Sequence, residues 1–134
     1  LNLGYMLQGL GRLEEAAQEY REVLRLRPGN ADAHFNLGNV LQESGRANEA
    51  VEQYREAIKL RAGDAEFHNN LGVALERSGR LKEALAEYEE ALRLNPDSAD
   101  ARANSARVRA VLKHPPTEVG RRRDARFREA NEVR

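Results

Sequence analysis

Residues 65–98 read AEFHNNLGVALERSGRLKEALAEYEEALRLNPDS, which repeats without a gap the stretch before them, ADAHFNLGNVLQESGRANEAVEQYREAIKLRAGD at residues 31–64. The period is 34 residues. Residues 1–30 show the same unit without its first four positions, and from residue 99 a further copy begins and then loses the pattern. A fixed period of this length is typical of stacked helical repeats, so the unit and its stacking decide the fold.

Each unit carries apolar residues at helical spacing. Leu37 and Leu41 lie four residues apart with Gly38 beside the first, which predicts a first helix whose apolar stripe contains a notch. Gly45 follows that helix, where a left-handed residue without a Cβ ends it at no steric cost. Tyr54 falls on the predicted second helix, and we expect its ring to fill the space opposite Gly38.

Proline marks the end of the second helix in two of the units. Pro28 and Pro96 cannot continue a helix, so they stop it shortly before their own positions. The middle unit has Ala62 at this place, so its stop must depend on Gly63 and Asp64. Since Ala and Leu dominate the apolar residues and strand formers are scarce, the composition also favours helices.

The repeated columns resemble the tetratricopeptide repeat pattern, W-x2-L-G-x2-Y followed by A-x3-F. The matching residues are His34-x2-Leu37-Gly38-x2-Leu41 with Ala50-x3-Tyr54, and His68-x2-Leu71-Gly72-x2-Leu75 with Ala84-x3-Tyr88. The departures are His for Trp and Leu for Tyr. This resemblance implies an all-α fold, a right-handed α-solenoid of helix-turn-helix repeats whose first helices line a concave face.

The period divides the chain into five parts. Residues 1–30 form a partial unit, residues 31–64 and 65–98 are complete units, and residues 99–114 form a capping helix. The capping helix is expected to stop at the Pro115-Pro116 pair. Residues 115–134 form a basic tail that can contain a short helix. The chain starts at Leu1 without an initiating Met, so we expect it to be a fragment.

The candidate binding site is a column of asparagines that recurs every 34 residues at Asn2, Asn36, Asn70 and Asn104. A carboxamide offers both a donor and an acceptor, so a row of them on parallel helices can grip the backbone of an extended peptide whatever its sequence. The column is similar to the asparagine ladder in the tetratricopeptide superhelix of O-linked N-acetylglucosamine transferases. The alternative is that these residues serve only the framework of the repeat. Selectivity is expected from six further inward positions, Phe35, Asn39, Asn69, Val73, Glu76 and Arg77.

Charge constrains the partner. The chain holds 22 basic and 22 acidic residues, but residues 1–98 carry 12 against 17 and residues 99–134 carry 10 against 5. Asp32, Glu66 and Asp100 make the predicted groove faintly negative, which favours a basic or neutral peptide, although acids in a first helical turn also oppose the helix macrodipole. A clamp for two carboxylates, known in the family, needs Lys or Arg in the groove, where this chain has Glu66 and Asn70.

No residues in the sequence suggest catalysis. Cysteine is absent, and no Ser, His and Asp set stands outside the period, so we predict no enzyme activity, no cofactor and no metal. His34 and His68 occupy the column in which the family has Trp, so we expect them to pack between helices. No apolar run approaches the roughly 20 residues that cross a bilayer, so no membrane contact is expected. The compartment is unknown, with the cytoplasm as the default.

The sequence therefore predicts a module that binds extended peptide segments in a concave groove. One alternative is the substrate-recruiting arm of a larger enzyme such as a glycosyltransferase. Another is a self-assembling scaffold, because the arginines of the tail can pair with the acidic body of a second chain. We do not expect nucleic acid as a partner, since Asp124 and Glu129 interrupt those arginines.

Overall fold

The computed structural model describes residues 2–115, and for Asn2 it describes the backbone alone. Within this range all regular secondary structure is helical, as predicted. The helices are α1 (Asn2–Gly9), α2 (Leu13–Leu26), α3 (Ala31–Glu43), α4 (Ala47–Leu60), α5 (Ala65–Arg77), α6 (Leu81–Leu94) and α7 (Ala99–Lys113). None of them is long and apolar enough to cross a bilayer. Residues 116–134, which hold nearly all of the predicted basic tail, lie outside the described range.

Each helix packs on the helix before it and the helix after it, and α5 also touches α3 and α7. Because contacts reach only near neighbours along the chain, the architecture is an α-solenoid. The pairs α1–α2, α3–α4 and α5–α6 are its helix-turn-helix units, and α7 packs on the last of them. We call α1, α3, α5 and α7 the first helices, and α2, α4 and α6 the second helices.

Local sequence signals fix where the helices begin and end. The turns after α1, α3 and α5 contain Gly11, Gly45 and Gly79, whose φ angles of 76°, 77° and 78° lie in the left-handed region. The next first helix starts at a capping side chain: the Asn30 carboxamide oxygen accepts from the Ala33 N–H at 3.0 Å, and Asp64 caps α5 in a similar way. Helix α4 ends at Leu60 although no proline follows it, and the Arg61 N–H at its end bonds to the Ala57 carbonyl.

The core is organised around three tyrosines of the second helices. Tyr20, Tyr54 and Tyr88 are fully buried, each with an exposed fraction of 0%. Each ring lies against a glycine of the first helix in the same unit, so closely that a Cβ built on Gly38 would lie 2.6 Å from Cε1 of Tyr54. The prediction that the ring fills the space beside the glycine is confirmed. This contact sets the spacing of the two helices within a unit.

Candidate functional site

The first helices meet along one surface, where side chains of one helix bond to side chains of the next or, for Arg77, to the Gln42 backbone carbonyl. The bonded pairs are Gln8 with Glu43, Asn39 with Asn70, Gln42 with Arg77, Asn69 with Asn104, and Glu76 with Arg107. The two members of each pair are 31 or 35 residues apart. Since the repeat is 34 residues long, every bond links one first helix to the next. We call the surface formed by these ten residues, together with Tyr5, Phe35, Asn36 and Val73, the first-helix face.

Asn39 and Asn70 form the central link of this face. The Asn39 carboxamide oxygen accepts two hydrogen bonds, from the Tyr54 hydroxyl at 2.5 Å and from Nδ2 of Asn70 at 3.0 Å. Both lone pairs of that oxygen are therefore used. The Asn39 Nδ2 group and the Asn70 Oδ1 atom have no hydrogen-bond partner among the described residues. The link thus fixes two amides and leaves one donor group and one acceptor for another molecule.

A second link joins α5 to α7. Nδ2 of Asn104 donates to Oδ1 of Asn69 at 3.1 Å, and Nη1 of Arg107 donates to Oδ1 of Asn104 at 3.0 Å. Arg107 also forms a bidentate ion pair with Glu76, at 2.6 and 3.2 Å. These bonds hold Asn104 from both sides. The Nδ2 group of Asn69 keeps no partner within residues 2–115.

Three side chains of the predicted asparagine column are described, and they use only part of their hydrogen-bonding capacity within the protein. Asn36 is half-buried and makes no side-chain hydrogen bond to any described residue. Asn70 and Asn104 are also half-buried, and each spends part of its bonding capacity on a neighbouring helix. The side chain of Asn2 lies outside the described residues. Asn36, Asn70 and Asn104 are therefore neither fully exposed nor fully buried.

Two of the predicted selectivity residues contribute mainly to packing. Phe35 has an exposed fraction of only 9%, and its ring stacks on Phe67 with the centroids 4.6 Å apart. Val73 is half-buried and packs against the core. These two side chains therefore present less surface to a ligand than their positions in the repeat suggest.

Glu76 and Arg77 lie on the face with different surroundings. Glu76 accepts hydrogen bonds from Arg107 and, at 2.8 Å, from the Tyr88 hydroxyl. Burial raises the pKa of its carboxyl, but the bonds from Arg107 and Tyr88 outweigh burial and hold the pKa below its ordinary value. Glu76 is thus a fixed anion. Arg77 is exposed, and its nearest hydrogen bond is a long one, 3.4 Å to the Gln42 carbonyl.

The tyrosine hydroxyls are the feature of the face that the sequence analysis missed. Each ring passes the glycine of its unit, so the hydroxyl of a second-helix residue reaches the first-helix face. Tyr54 bonds to Asn39 and Tyr88 bonds to Glu76, whereas the Tyr20 hydroxyl is buried without a partner among the described residues. The sequence contained the information needed: a tyrosine recurs with the glycine that it faces, and a ring that passes the glycine carries its hydroxyl to the far side of the first helix.

This difference predicts opposite outcomes for the same substitution in two units. Tyr54→Phe removes the hydroxyl that bonds to Asn39, so we expect the free energy of unfolding to fall by about 1 kcal/mol. Tyr20→Phe removes an unpaired buried hydroxyl, so we expect stability to stay unchanged or rise slightly. Urea denaturation followed by circular dichroism measures both. If both variants lose the same free energy of unfolding, the hydroxyls of Tyr54 and Tyr20 do not differ in hydrogen bonding as described.

His34 and His68 each have an oxygen atom close to both ring nitrogens. Nδ1 of His68 lies 2.7 Å from Oε2 of Glu87, and Nε2 lies 3.0 Å from the Ala62 carbonyl. His34 makes the same pair of contacts one unit earlier, with Gln53 and Pro28. Each ring thus ties a first helix to the second helix and to the preceding turn. No three His, Asp or Glu side chains of residues 2–115 are grouped so that they could hold a metal ion.

Comparison with known proteins agrees with this architecture. A family model described as tetratricopeptide repeat matches residues 35–99 and 77–115, and a model described as TPR repeat matches residues 4–45. The protein O-mannosyl-transferase Tmtc2 of Drosophila melanogaster is 54% identical over 35 residues, which make up 26% of this chain and 4% of that protein. The chain therefore matches only a small fraction of that relative's length.

Several solved structures superpose on most of the chain. The first TPR of Spaghetti (RPAP3), bound to the HSP90 peptide SRMEEVD, has a TM-score of 0.82 at 20% identity and covers 84% of this chain and 89% of that one. MamA has a TM-score of 0.80 at 25% identity, with 84% and 66% covered. A mutant O-GlcNAc transferase of Thermobaculum terrenum has a TM-score of 0.73 at 28% identity, with 78% and 20% covered.

Proposed function

Because the chain belongs to the tetratricopeptide repeat family, we propose that it is a protein-interaction module that binds an extended peptide segment along the first-helix face. The observation that carries the proposal is the pair of amide links across that face. Asn39 and Asn69 each use their oxygen within the protein and keep an Nδ2 group available, while Asn70 keeps its oxygen. An extended peptide presents backbone C=O and N–H groups in alternation, which complement such donors and acceptors.

The links also lower the cost of binding. A free asparagine loses side-chain entropy when it grips a ligand, but Asn39 and Asn70 are already held by Tyr54 and by each other. Asn36 lies three residues before Asn39 and adds an uncommitted carboxamide to the same stretch of the face. The mechanism is therefore recognition of the peptide backbone by pre-positioned amides. It contains no chemical step, and we propose that this part of the chain is not catalytic.

The proposal is tested by selecting a phage library of random dodecapeptides on the immobilised chain and labelling the best binder with fluorescein. We expect the double variant Asn36→Ala and Asn70→Ala to bind this peptide about tenfold more weakly, because two hydrogen bonds of about 0.7 kcal/mol each are lost. Fluorescence anisotropy measures the affinity, and circular dichroism confirms that helicity is unchanged.

The matched control is Asn48→Ala, which removes an exposed asparagine from α4, outside the first-helix face. A copy of the peptide with N-methylated backbone amides provides a second control, since it lacks the N–H donors and keeps its side chains. We expect N-methylation to cost less affinity in the double variant than in the unmodified protein. If no peptide is selected, or if the double variant keeps full affinity, the proposal is wrong.

A second candidate function is the recruitment of substrates for a larger glycosyltransferase. Two of the matched proteins, the O-mannosyl-transferase and the O-GlcNAc transferase, are transferases of which this chain covers 4% and 20%. The chain would then be the peptide-binding part of such an enzyme. The sequence that flanks it in its gene tests this directly, because a transferase domain in the same reading frame is required.

Self-association through the arginine-rich tail stays a prediction, since Arg121, Arg122, Arg123, Arg126 and Arg128 lie outside the described residues. Light scattering of the chain cut after Pro115 tests it. If the number of chains per particle is the same before and after truncation, self-association through the tail is contradicted.

A further inference from the structure

A pocket opens on the first-helix face between α1 and α3. Its volume is about 250 Å³, and it is lined by Tyr5, Gln8, Gly9 and Glu43. Gly9 leaves the space open because it has no side chain, whereas the next two units carry Glu43 and Arg77 at the equivalent position. The pocket is therefore a feature of the first unit rather than of the repeat. We call it the Glu43 pocket.

A buried and unpaired hydroxyl also belongs to the first unit. In the middle unit Tyr54 bonds to Asn39, but the residue 34 positions before Asn39 is Tyr5, which does not bond to Tyr20. Tyr20 is fully buried, and its hydroxyl has no partner among the described residues. Burial raises the pKa of this hydroxyl, and Tyr5 and Glu43 raise it further. The unpaired hydroxyl is thus a second way in which the first unit departs from the repeat, since Tyr54 and Tyr88 both have partners.

The walls of the pocket favour a cation. Oε1 of Glu43 accepts from Nε2 of Gln8 at 2.6 Å, and Oε2 has no partner within residues 2–115. Glu43 also forms no ion pair with any described residue. Tyr5 is 71% exposed, so its ring face is open to a ligand. A carboxylate and an aromatic ring on one small pocket suit a guanidinium group, which donates to the first and stacks on the second.

We propose that the Glu43 pocket binds an arginine side chain of the partner peptide, an inference that rests on the proposed peptide-binding function. The guanidinium donates to Oε2 of Glu43 and lies against the ring of Tyr5. A glutamate or aspartate of the peptide is excluded because it would face Glu43.

The test is a titration followed by amide proton–nitrogen NMR spectra, with the blocked peptide Gly-Ser-Arg-Ser-Gly as the probe. We expect shifts at the amides of Tyr5, Gly9 and Glu43 and a dissociation constant of about 1 mM, as befits a single side chain. The same peptide with citrulline, a neutral isostere of arginine, is expected to bind about tenfold more weakly. Glu43→Gln is expected to cause a similar loss.

Two further variants complete the design. Glu52→Gln removes an exposed carboxylate from α4 and should leave arginine binding unchanged. Gly9→Leu fills the pocket from an exposed helix position with open space around it, and should abolish binding without loss of helicity.

The outcomes separate this proposal from the proposed function. If the arginine and citrulline peptides bind equally, or if Glu43→Gln has no effect, the Glu43 pocket does not recognise arginine, while peptide binding along the asparagines can still hold. If the arginine peptide gives no shifts at Tyr5 and Gly9 up to about 10 mM, an affinity too low to contribute to recognition, the pocket proposal is overturned as well. The dodecapeptide selection and the Asn36 and Asn70 variants decide the proposed function independently.

Discussion

Replacement of Tyr54 by alanine is expected to lower the free energy of unfolding by about 3–5 kcal/mol. The side chain is fully buried between α3 and α4, where its ring fills the notch at Gly38 and lies 5.8 Å from the ring of Phe35. Its hydroxyl also holds Asn39. The substitution therefore leaves a large cavity and removes a hydrogen bond at the same place.

The position of Tyr54 in the array adds to the effect. In a solenoid each unit is stabilised by its neighbours, so a central unit that loses its core also weakens the contacts of α2 with α3 and of α4 with α5. Urea denaturation followed by circular dichroism gives the loss. Tyr5→Ala is the matched control, because that ring is 71% exposed and should change stability by less than about 0.5 kcal/mol. A Tyr54→Ala loss below about 1 kcal/mol would contradict the assigned packing.

The features that recur with the period could be predicted from the sequence. A column that repeats in three copies reports a constraint of the backbone or of the helix spacing, and such constraints are the same in every unit. The left-handed glycines at Gly11, Gly45 and Gly79 and the contact between Gly38 and Tyr54 are of this kind. The period therefore predicts the helices, their turns and their packing.

The features that differ between units could not be predicted in this way. Phe35 occupies a column that faces inward, but Phe67 stands where the preceding unit has Ala33, and the two rings stack and bury each other. The position of a residue in the repeat predicts the direction of its side chain. It does not predict how much of that side chain the neighbouring residues cover. The exposure of a candidate residue therefore depends on residues that do not repeat.

The candidate site combines both kinds of feature. The asparagine column is periodic, and the sequence located it. The hydrogen bonds that orient these asparagines are not periodic. Asn70 bonds to Asn39, but the residue 34 positions after Asn39 is Val73, which cannot replace it as a partner. Asn104 bonds to Asn69 instead. The hydrogen bonds of the tyrosine hydroxyls also differ between units. Tyr54 and Tyr88 have partners on the first helix of their unit, whereas Tyr20 has none among the described residues. Side-chain bonding at the site had to be read from the structure.

The second large loss of stability is expected at the glycine notch, where adding one methyl group is enough to disturb the packing. Gly72→Ala raises intrinsic helix propensity by about 1 kcal/mol. The new Cβ would, however, lie 2.5 Å from Cε1 and 2.7 Å from Cδ1 of Tyr88. We expect the overpacking to exceed the gain and the free energy of unfolding to fall by about 2 kcal/mol. Thermal and urea denaturation measure the loss.

Tyr88 cannot yield easily, because its ring is fully buried and its hydroxyl is bonded to Glu76. Gly9→Ala is the matched control: it adds the same methyl group to a first helix at a place with nothing within 4 Å, so stability should be unchanged or slightly higher. In a Tyr88→Leu background the ring is gone, and we expect Gly72→Ala to cost at least about 1 kcal/mol less than in the unmodified chain. If the cost of Gly72→Ala is the same in both backgrounds, the loss arises in the backbone of α5 and not at the notch.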